Sequence, residues 1–242
     1  KDVYSLGSTI TCRWGKLSTI AIIQARMGAT RLPNKMLLHL NGYAVVEWVY
    51  YRVKQSKRVN QIIFALPDTK QNNILAWFLE SIGATVFRGS ENDLVDRYYQ
   101  AAKNVSADEI VRVCADNPLI CASEIDRLIN FFHQTSCDYA YNHIPKNNQY
   151  PDGLGAEICK MELLEEIHIN SRKTKHREHL FNYIWDNEER YIIKTFNPPE
   201  YLTSPDLKLD IDRIEDFQQL LTKNYRIDMS AEEIVNLAKE NK

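Results

Sequence analysis

Nothing in the spacing of the cysteines joins any two of them. The five (Cys12, Cys114, Cys121, Cys137 and Cys159) form no CxxC pair and no zinc-ligand pattern, which excludes a disulfide framework and a zinc ribbon. An odd count without a framework points to reduced thiols and a cytoplasmic location, and Cys114, inside an apolar strand pattern, reads as a small core residue. No apolar run approaches the roughly 20 residues needed to cross a bilayer, so membrane insertion is not expected. Neither sign of charge dominates: 30 basic and 32 acidic side chains leave a net charge of -2, which argues against a broad nucleic-acid surface. Any anion site must therefore be local. Linkers, repeats and low-complexity tracts are missing too. The opening "KDVYSLGSTITCRWGKLS" has no signal-peptide core and does not begin with Met. Residues 1–18 are set aside as an extension or trimmed remnant, and 19–242 are expected to form a single domain.

What remains is an ordinary globular composition, 44% hydrophobic and 26% charged, arranged in a regular alternation. "TIAIIQA", "QIIFALP", "ATVFRG" and "EIVRVCAD" are short apolar runs of strand type. Between them "AVVEWVYYRVKQS", "NNILAWFLESIG" and "ENDLVDRYYQAAKN" carry apolar residues at helical spacing, as Val45, Val49 and Val53 illustrate, and "SEIDRLINFFHQ" follows with a serine in capping position. Strands alternating with helices predict an α/β fold, a mainly parallel sheet with helices on both faces. Its ligand site by default lies among the loops at the strand carboxyl ends. Trp48, Trp77, Tyr98 and Tyr99 fall at helical core positions. Beyond residue 138 the rhythm loosens into strands "CDYAYNH", "GLGAEIC", "YIIKTFNPP" and "DLKLDID", helices "KMELLEEIHINS" and "TKHREHLFNYIWDN", and two closing helices. The stretch near 138–190 reads as an inserted lid or dimerisation element.

The loop after the first strand, "ARMGATRLPNK", carries Arg26, Arg31 and Lys35 with no acidic residue among them. Like charges gathered this closely make sense around an anion, and guanidinium and ammonium groups match phosphate oxygens. Gly28 would permit close backbone approach and Pro33 would stiffen the loop. The spacing is neither GxxxxGK[ST] nor GxGxxG, so a solvated cationic loop stays open as the alternative. Asp116 ends another strand. Asp210 and Asp212 stand two residues apart on a predicted strand and so share a face, with Asp212 ranked first because it is nearer the carboxyl end. One Asp from each strand end could hold Mg2+ beside phosphates, and turn or cap roles are the alternative. Glu215 and Asp216 suit the start of a helix. His176 and His179 stand three apart on a predicted helix but have no third ligand in view, so a metal role for them is a minor reading beside a solvated helical face.

Taken together, "IIQARMGATRLPNK", "VFRGSENDLVDRYYQAA", "DNPLI", "YPDGLGAEI", "KHREHL" and "LDIDRIEDF" resemble, in order, the motifs of SpsF-like cytidylyltransferases, relatives of CMP-Kdo and CMP-sialic acid synthetases. The resemblance runs from Thr19 to the final helices. It implies a Rossmann-like nucleotide-diphospho-sugar transferase (GT-A-like) fold, with CTP and a small anionic sugar acid as substrates, Mg2+ as cofactor, and a homodimer. By the same likeness Ala25, Arg26, Gly28, Arg31, Lys35, Arg88, Ser90 and Asp116 would contact nucleotide. Arg97, Asp152, Glu157, Arg177 and His179 would contact the acceptor. Asp116, Asp212 and, as second candidate, Asp210 would hold metal, and Lys35, Arg26, Asp116 and Asp212 would carry the chemistry. The chain departs from the pattern at Ala29, Asn34, Ala115 and Gly155. CMP transfer to a sugar acid is the first reading. A different acceptor, or a nucleotide-binding relative without turnover, stands beside it.

Overall fold

Each apolar run of the first half becomes a strand, largely buried except in "ATVFRG", whose strand residues stay partly exposed at the sheet edge. The computed structural model describes residues 17–240, so most of the amino-terminal extension, Cys12 included, lies outside the described residues. In chain order, β1 (Thr19–Gln24) leads to a small hairpin, β2 (His39–Leu40) and β3 (Tyr43–Ala44), and then to α1 (Val45–Val53). Next come β4 (Gln61–Pro67), α2 (Asn73–Ser81), β5 (Thr85–Gly89), α3 (Leu94–Asn104), β6 (Glu109–Cys114) and α4 (Ala122–Gln134). The second half holds β7 (Tyr139–Tyr141), β8 (Glu157–Lys160), α5 (Met161–Asn170), α6 (Thr174–Glu178), α7 (Asn182–Trp185), β9 (Ile193–Lys194), α8 (Ile214–Leu221) and α9 (Ala231–Lys239).

The main sheet runs β5-β4-β1-β6-β8-β7-β9. Strands β5, β4, β1 and β6 are parallel, and β8 lies antiparallel to both β6 and β7. Alternate side chains supply two cores. Ala21, Ile23, Phe64, Leu66, Val111 and Val113 pack against α1, α2 and α4, while Ile20, Ile22, Ile63, Ala65 and Ile110 pack against α3 and α5. Chain order reverses at β1, whose neighbours β4 and β6 lead away on opposite sides, and such a switch point opens a crevice at the carboxyl edge. A third core of Trp48, Leu119, Leu154, Leu209 and Ile211 joins α8 and α9 to this edge. Strands β7 and β8 of the 138–190 stretch belong to the main sheet, and α5 packs in the α3 core.

Four local expectations are corrected. "DLKLDID" is not a strand, because only Lys208 forms a bridge, to Asp152, before the chain turns into α8. The predicted helix at 174–187 breaks into α6 and α7, since the chain bends to bury both Leu180 and Phe181. The cap of α4 is Cys121, with Ser123 inside the first turn. Trp77 is 64% exposed, because Leu75, Ala76 and Leu79 are the residues that α2 turns inward.

Gly155 has a purely architectural cause. A Cβ there would overlap the side-chain amide and carbonyl oxygen of Asn142, and Asn142 is engaged in bonds to Glu124 O at 3.0 Å and from Ala156 N at 2.9 Å. Gly155→Ala is expected to cost about 1–3 kcal/mol in chemical denaturation, as overpacking does. An unchanged midpoint would show that Asn142 can move aside.

Candidate active site

The loop that follows β1 is shaped mostly by its own backbone. Asn34 takes the left-handed conformation (φ 61°), which asparagine tolerates, and its N–H donates to Met27 O at 3.2 Å. The Met27 N–H donates to Asn72 Oδ1 at 2.9 Å, clamping the loop to the start of α2. At Gly28 an added Cβ would meet only the mobile end of Gln71, at 3.3 Å. The fold itself therefore does not require glycine there. Ala25, beneath the loop, is buried in the same core as Ala115.

Two of the three loop cations have found carboxylates from far along the chain. Lys35, almost fully buried, donates through Nζ to Asp116 Oδ2 at 2.7 Å and to Ile211 O at 2.6 Å. Arg31 Nη1 donates to Asp212 Oδ2 at 2.7 Å in a largely exposed pair. Arg26 is exposed and has no hydrogen-bond or carboxylate partner among the described residues. The three expected metal carboxylates thus gather at one edge with the loop cations inserted among them.

Backbone bonds set that edge. Ile211 N donates to Asp116 O at 2.8 Å, Leu209 N to Asp152 O at 3.0 Å, and Gly153 N to His143 O at 2.9 Å. Gly153 has φ 87°, and its Cα side lies so close to Asp210 that a Cβ would stand 2.9 Å from Asp210 N. This presses Asp152 toward Asp210. Burial, then the charge of Asp152, pushes the Asp210 carboxyl up to about 6. Burial likewise raises Asp152, with Asp212 and Asp116 adding to it against Lys208. Asp210 Oδ1 is buried without a hydrogen-bond partner. Asp210 and Asp212 do converge, both within 4.0 Å of Lys208 Nζ, although a turn rather than strand alternation brings them together.

Other predicted residues are engaged in the scaffold. Arg88 holds Thr69 O and Asn73 Oδ1 at the β4–α2 turn. Ser90 Oγ accepts from Asp93 N, and Arg97 Nη1 donates to Ser90 O, so both shape the β5–α3 loop. Arg97 Nε is buried and unpartnered, and burial lowers this guanidinium, with Arg26 nearby adding to the effect. Arg177 ties α6 to Asp93, the cap of α3, at 2.5 Å and to His168 O at 2.8 Å. His179 lies beyond the end of α6 and is exposed, while His176 is buried against Asp186 at 2.7 Å. The helix break parts the two histidines, and no group of three or more His, Cys, Asp or Glu is placed to hold a metal among the described residues.

Glu157 lies deepest. It pairs with Arg112, accepts from the Tyr139 hydroxyl, and sees His143 Nε2 at 3.7 Å. Burial alone would raise its carboxyl, but Arg112, His143 and Tyr139 hold it below its ordinary value. Arg112 also donates through Nε to Gln24 Oε1 at 3.2 Å, linking this neutralised cluster to the root of the cationic loop. Sequence reading passed over Arg112, although a lone arginine within the apolar "EIVRVCAD" was a visible signal.

The raised Asp210 carboxyl has a measurable sign. Its native value lies above the unfolded one, so its contribution to stability is full below about pH 4 and is lost as pH rises through about 6. Asp210→Asn should therefore stabilise the metal-free protein at pH 8, on the order of 1 kcal/mol after screening, and hardly at all at pH 4. Thermal melts at the two pH values test this. Equal shifts at both would mean that Asp210 is solvated.

Over residues 20–241 the sequence matches the family described as cytidylyltransferase. It is 36% identical over 213 residues to an uncharacterized protein of Methanocaldococcus jannaschii, covering 88% of this chain and 86% of that one. Against the spore coat polysaccharide biosynthesis protein SpsF of Bacillus subtilis it is 31% identical over 229 residues, 91% of this chain and 93% of that protein. Among solved structures, a cytidylyltransferase from Leptospira borgpetersenii superposes with a TM-score of 0.84 at 29% identity, covering 92% of this chain and 94% of its own. With its mainly parallel sheet, its switch point at β1 and a match along almost its whole length, the chain belongs to the cytidylyltransferase family.

Proposed function

We propose that the protein transfers CMP from CTP to a sugar acid of ulosonic type, with release of pyrophosphate, during assembly of a surface polysaccharide or glycan. The observation that carries this reading is the meeting of Arg31 and Lys35 with Asp212 and Asp116 at the switch-point edge. The family supports the cytidylyl group, and the name of the Bacillus subtilis relative supports the polysaccharide setting. The sugar acid rests on the resemblance to CMP-Kdo and CMP-sialic acid synthetases. By the same likeness the enzyme is a cytoplasmic homodimer. The four described cysteines, all free, accord with a reducing compartment.

Magnesium suits the donor set. Asp116, Asp210 and Asp212 offer hard oxygens, one of them the unpartnered Oδ1 of Asp210, and Mg2+ needs only one or two carboxylates when phosphate oxygens complete its shell. When bound, the ion would neutralise charge developing on the phosphates. The chain's own groups do the rest by exchanging partners. As the triphosphate enters, Lys35 and Arg31 leave Asp116 and Asp212 for phosphate oxygens and Arg26 joins them; the freed carboxylates are the groups that would hold the ion. The acceptor hydroxyl attacks the α-phosphorus in line and gives its proton to solvent, and the bond to pyrophosphate breaks as the new oxygen–phosphorus bond forms. Lys35 and the arginines then hold the leaving pyrophosphate.

Pyrophosphate release from CTP and a panel of ulosonic acids tests the reaction. Lys35→Ala should slow it by two to three decades, the loss of roughly 2–4 kcal/mol of charge stabilisation at the leaving group. Near-normal turnover would reduce the loop cations to counter-ions of the acidic edge. Nucleotide choice is a separate matter: with Mg2+ present, CTP at a hundred times its Kd should add about 2.7 kcal/mol of stability, and ATP, GTP and UTP much less. Equal thermal shifts for all four would remove cytidine from the proposal.

A further inference from the structure

At the amino-terminal edge of the sheet, the far end of β1 from the cationic loop, lies a hollow of about 550 Å³. The proposed reaction makes no use of it. One wall is a single stripe of α4, in which Asp126, Ile129, Asn130 and His133 recur at helical spacing. Lys57 and Arg58, on the turn after α1, form the facing rim, and Leu17 and Thr19 close one end. A volume of this size suits an organic molecule and exceeds what an inorganic ion would fill.

Hydrogen-bond accounting gives the hollow its chemical character. Both oxygens of Asp126 are taken by the 56–58 turn: Oδ1 accepts from Ser56 Oγ and from Arg58 N at 3.2 Å, and Oδ2 from Lys57 N at 3.0 Å. Glu109, buried at the start of β6, accepts from Thr19 Oγ1, and His133 Nε2 lies 2.9 Å from each of its oxygens. The carboxylates are thus engaged away from the hollow. The heads of Lys57 and Arg58 are exposed, and neither they nor the half-buried Asn130 amide has a partner among the described residues. Asp126 fixes the turn that carries the two cations through its backbone, and leaves their heads unmet. Nor does α1 need them as counter-charge, because the helix dipole acts over the last turn and Lys54 already stands at the cap. What the hollow presents is a group of donors with no acceptor, beside the apolar side chains of Leu17 and Ile129.

We propose that this hollow is a second ligand site, for an organic acid on an apolar body. Its carboxylate, phosphate or sulfonate head would meet Lys57, Arg58 and Asn130, and its apolar part would lie along Leu17 and Ile129. The whole length of β1 separates this site from the cationic loop, so the two can be filled independently. Fluorescence titration of the full chain tests the assignment with 8-anilinonaphthalene-1-sulfonate and with N-phenyl-1-naphthylamine, the same rings without the acid. Replacing both rim cations, Lys57→Gln with Arg58→Gln, should weaken the sulfonate about tenfold or more, as loss of charge-assisted hydrogen bonds does, and leave the uncharged probe unchanged. Asn130→Asp, which adds a negative charge and little volume, should act in the same direction, while Lys57→Arg and Arg26→Gln should keep wild-type affinity. Lys57 and Arg58 are exposed, so their replacement leaves the core intact. Unchanged sulfonate binding in the double variant would overturn the site. Equal weakening of both probes would show that the acid head is not recognised, and loss of binding in Arg26→Gln would put the probe at the opposite edge; either result also overturns it.

Discussion

One buried ammonium ties together the parts of the chain that make the carboxyl edge. Lys35 rides on the loop after β1, and its two bonds reach Asp116 at the end of β6 and the carbonyl of Ile211 ahead of α8. A lysine placed this deep is tolerable only when its charge and its donors are met. The edge meets them by bringing together segments more than 80 and more than 170 residues away. The Ile211 carbonyl is available to it because Ile211 itself is anchored in the third core and its N–H is bonded to Asp116 O. Packing of α8 and α9 is thus coupled through Ile211 to the position of Lys35.

The edge is an internal salt. Read along the chain, Arg26, Arg31 and Lys35 have no acid among them, and an external anion was the natural inference. The fold supplies acids of its own, and Arg31 and Lys35 are already occupied by them. Gly153 belongs to the same design: its left-handed backbone lets the 152–153 segment lie against Asp210, which concentrates negative charge beside those cations. Carboxylates held this way stay compact without being neutralised one by one.

Legibility followed range. The strands β1, β4 and β6 and the helices between them were readable because burial on both faces leaves continuous apolar runs and surface helices leave a 3.6-residue rhythm, and the partly exposed edge strand β5 was readable as the short run between two such helices. The switch-point edge followed from that alternation. The break between α6 and α7 was not readable, since it arises from the demand to bury Leu180 and Phe181 together, a tertiary requirement that a helical pattern in "HREHLFNYIW" conceals. Trp77 misled for the opposite reason, a large apolar side chain that the phase of α2 turns outward. Asp116, Asp210 and Asp212 could be named from the chain, but their counter-ions could not, because each pairing spans a distance no local pattern encodes. Lys208 lay in plain view in "LKLDID", and its proximity to Asp216 depends on the turn into α8.

Because Arg31 and Lys35 are already paired, the edge projects little net positive field into solvent, and among the described residues Arg26 is an exposed loop cation without a partner. Long-range attraction of a polyanion scales with that outward field. An anion arriving at this edge would accordingly gain little from electrostatic steering. Selectivity among anions would then rest on how well an arriving molecule replaces the internal carboxylates, not on how strongly it is drawn in.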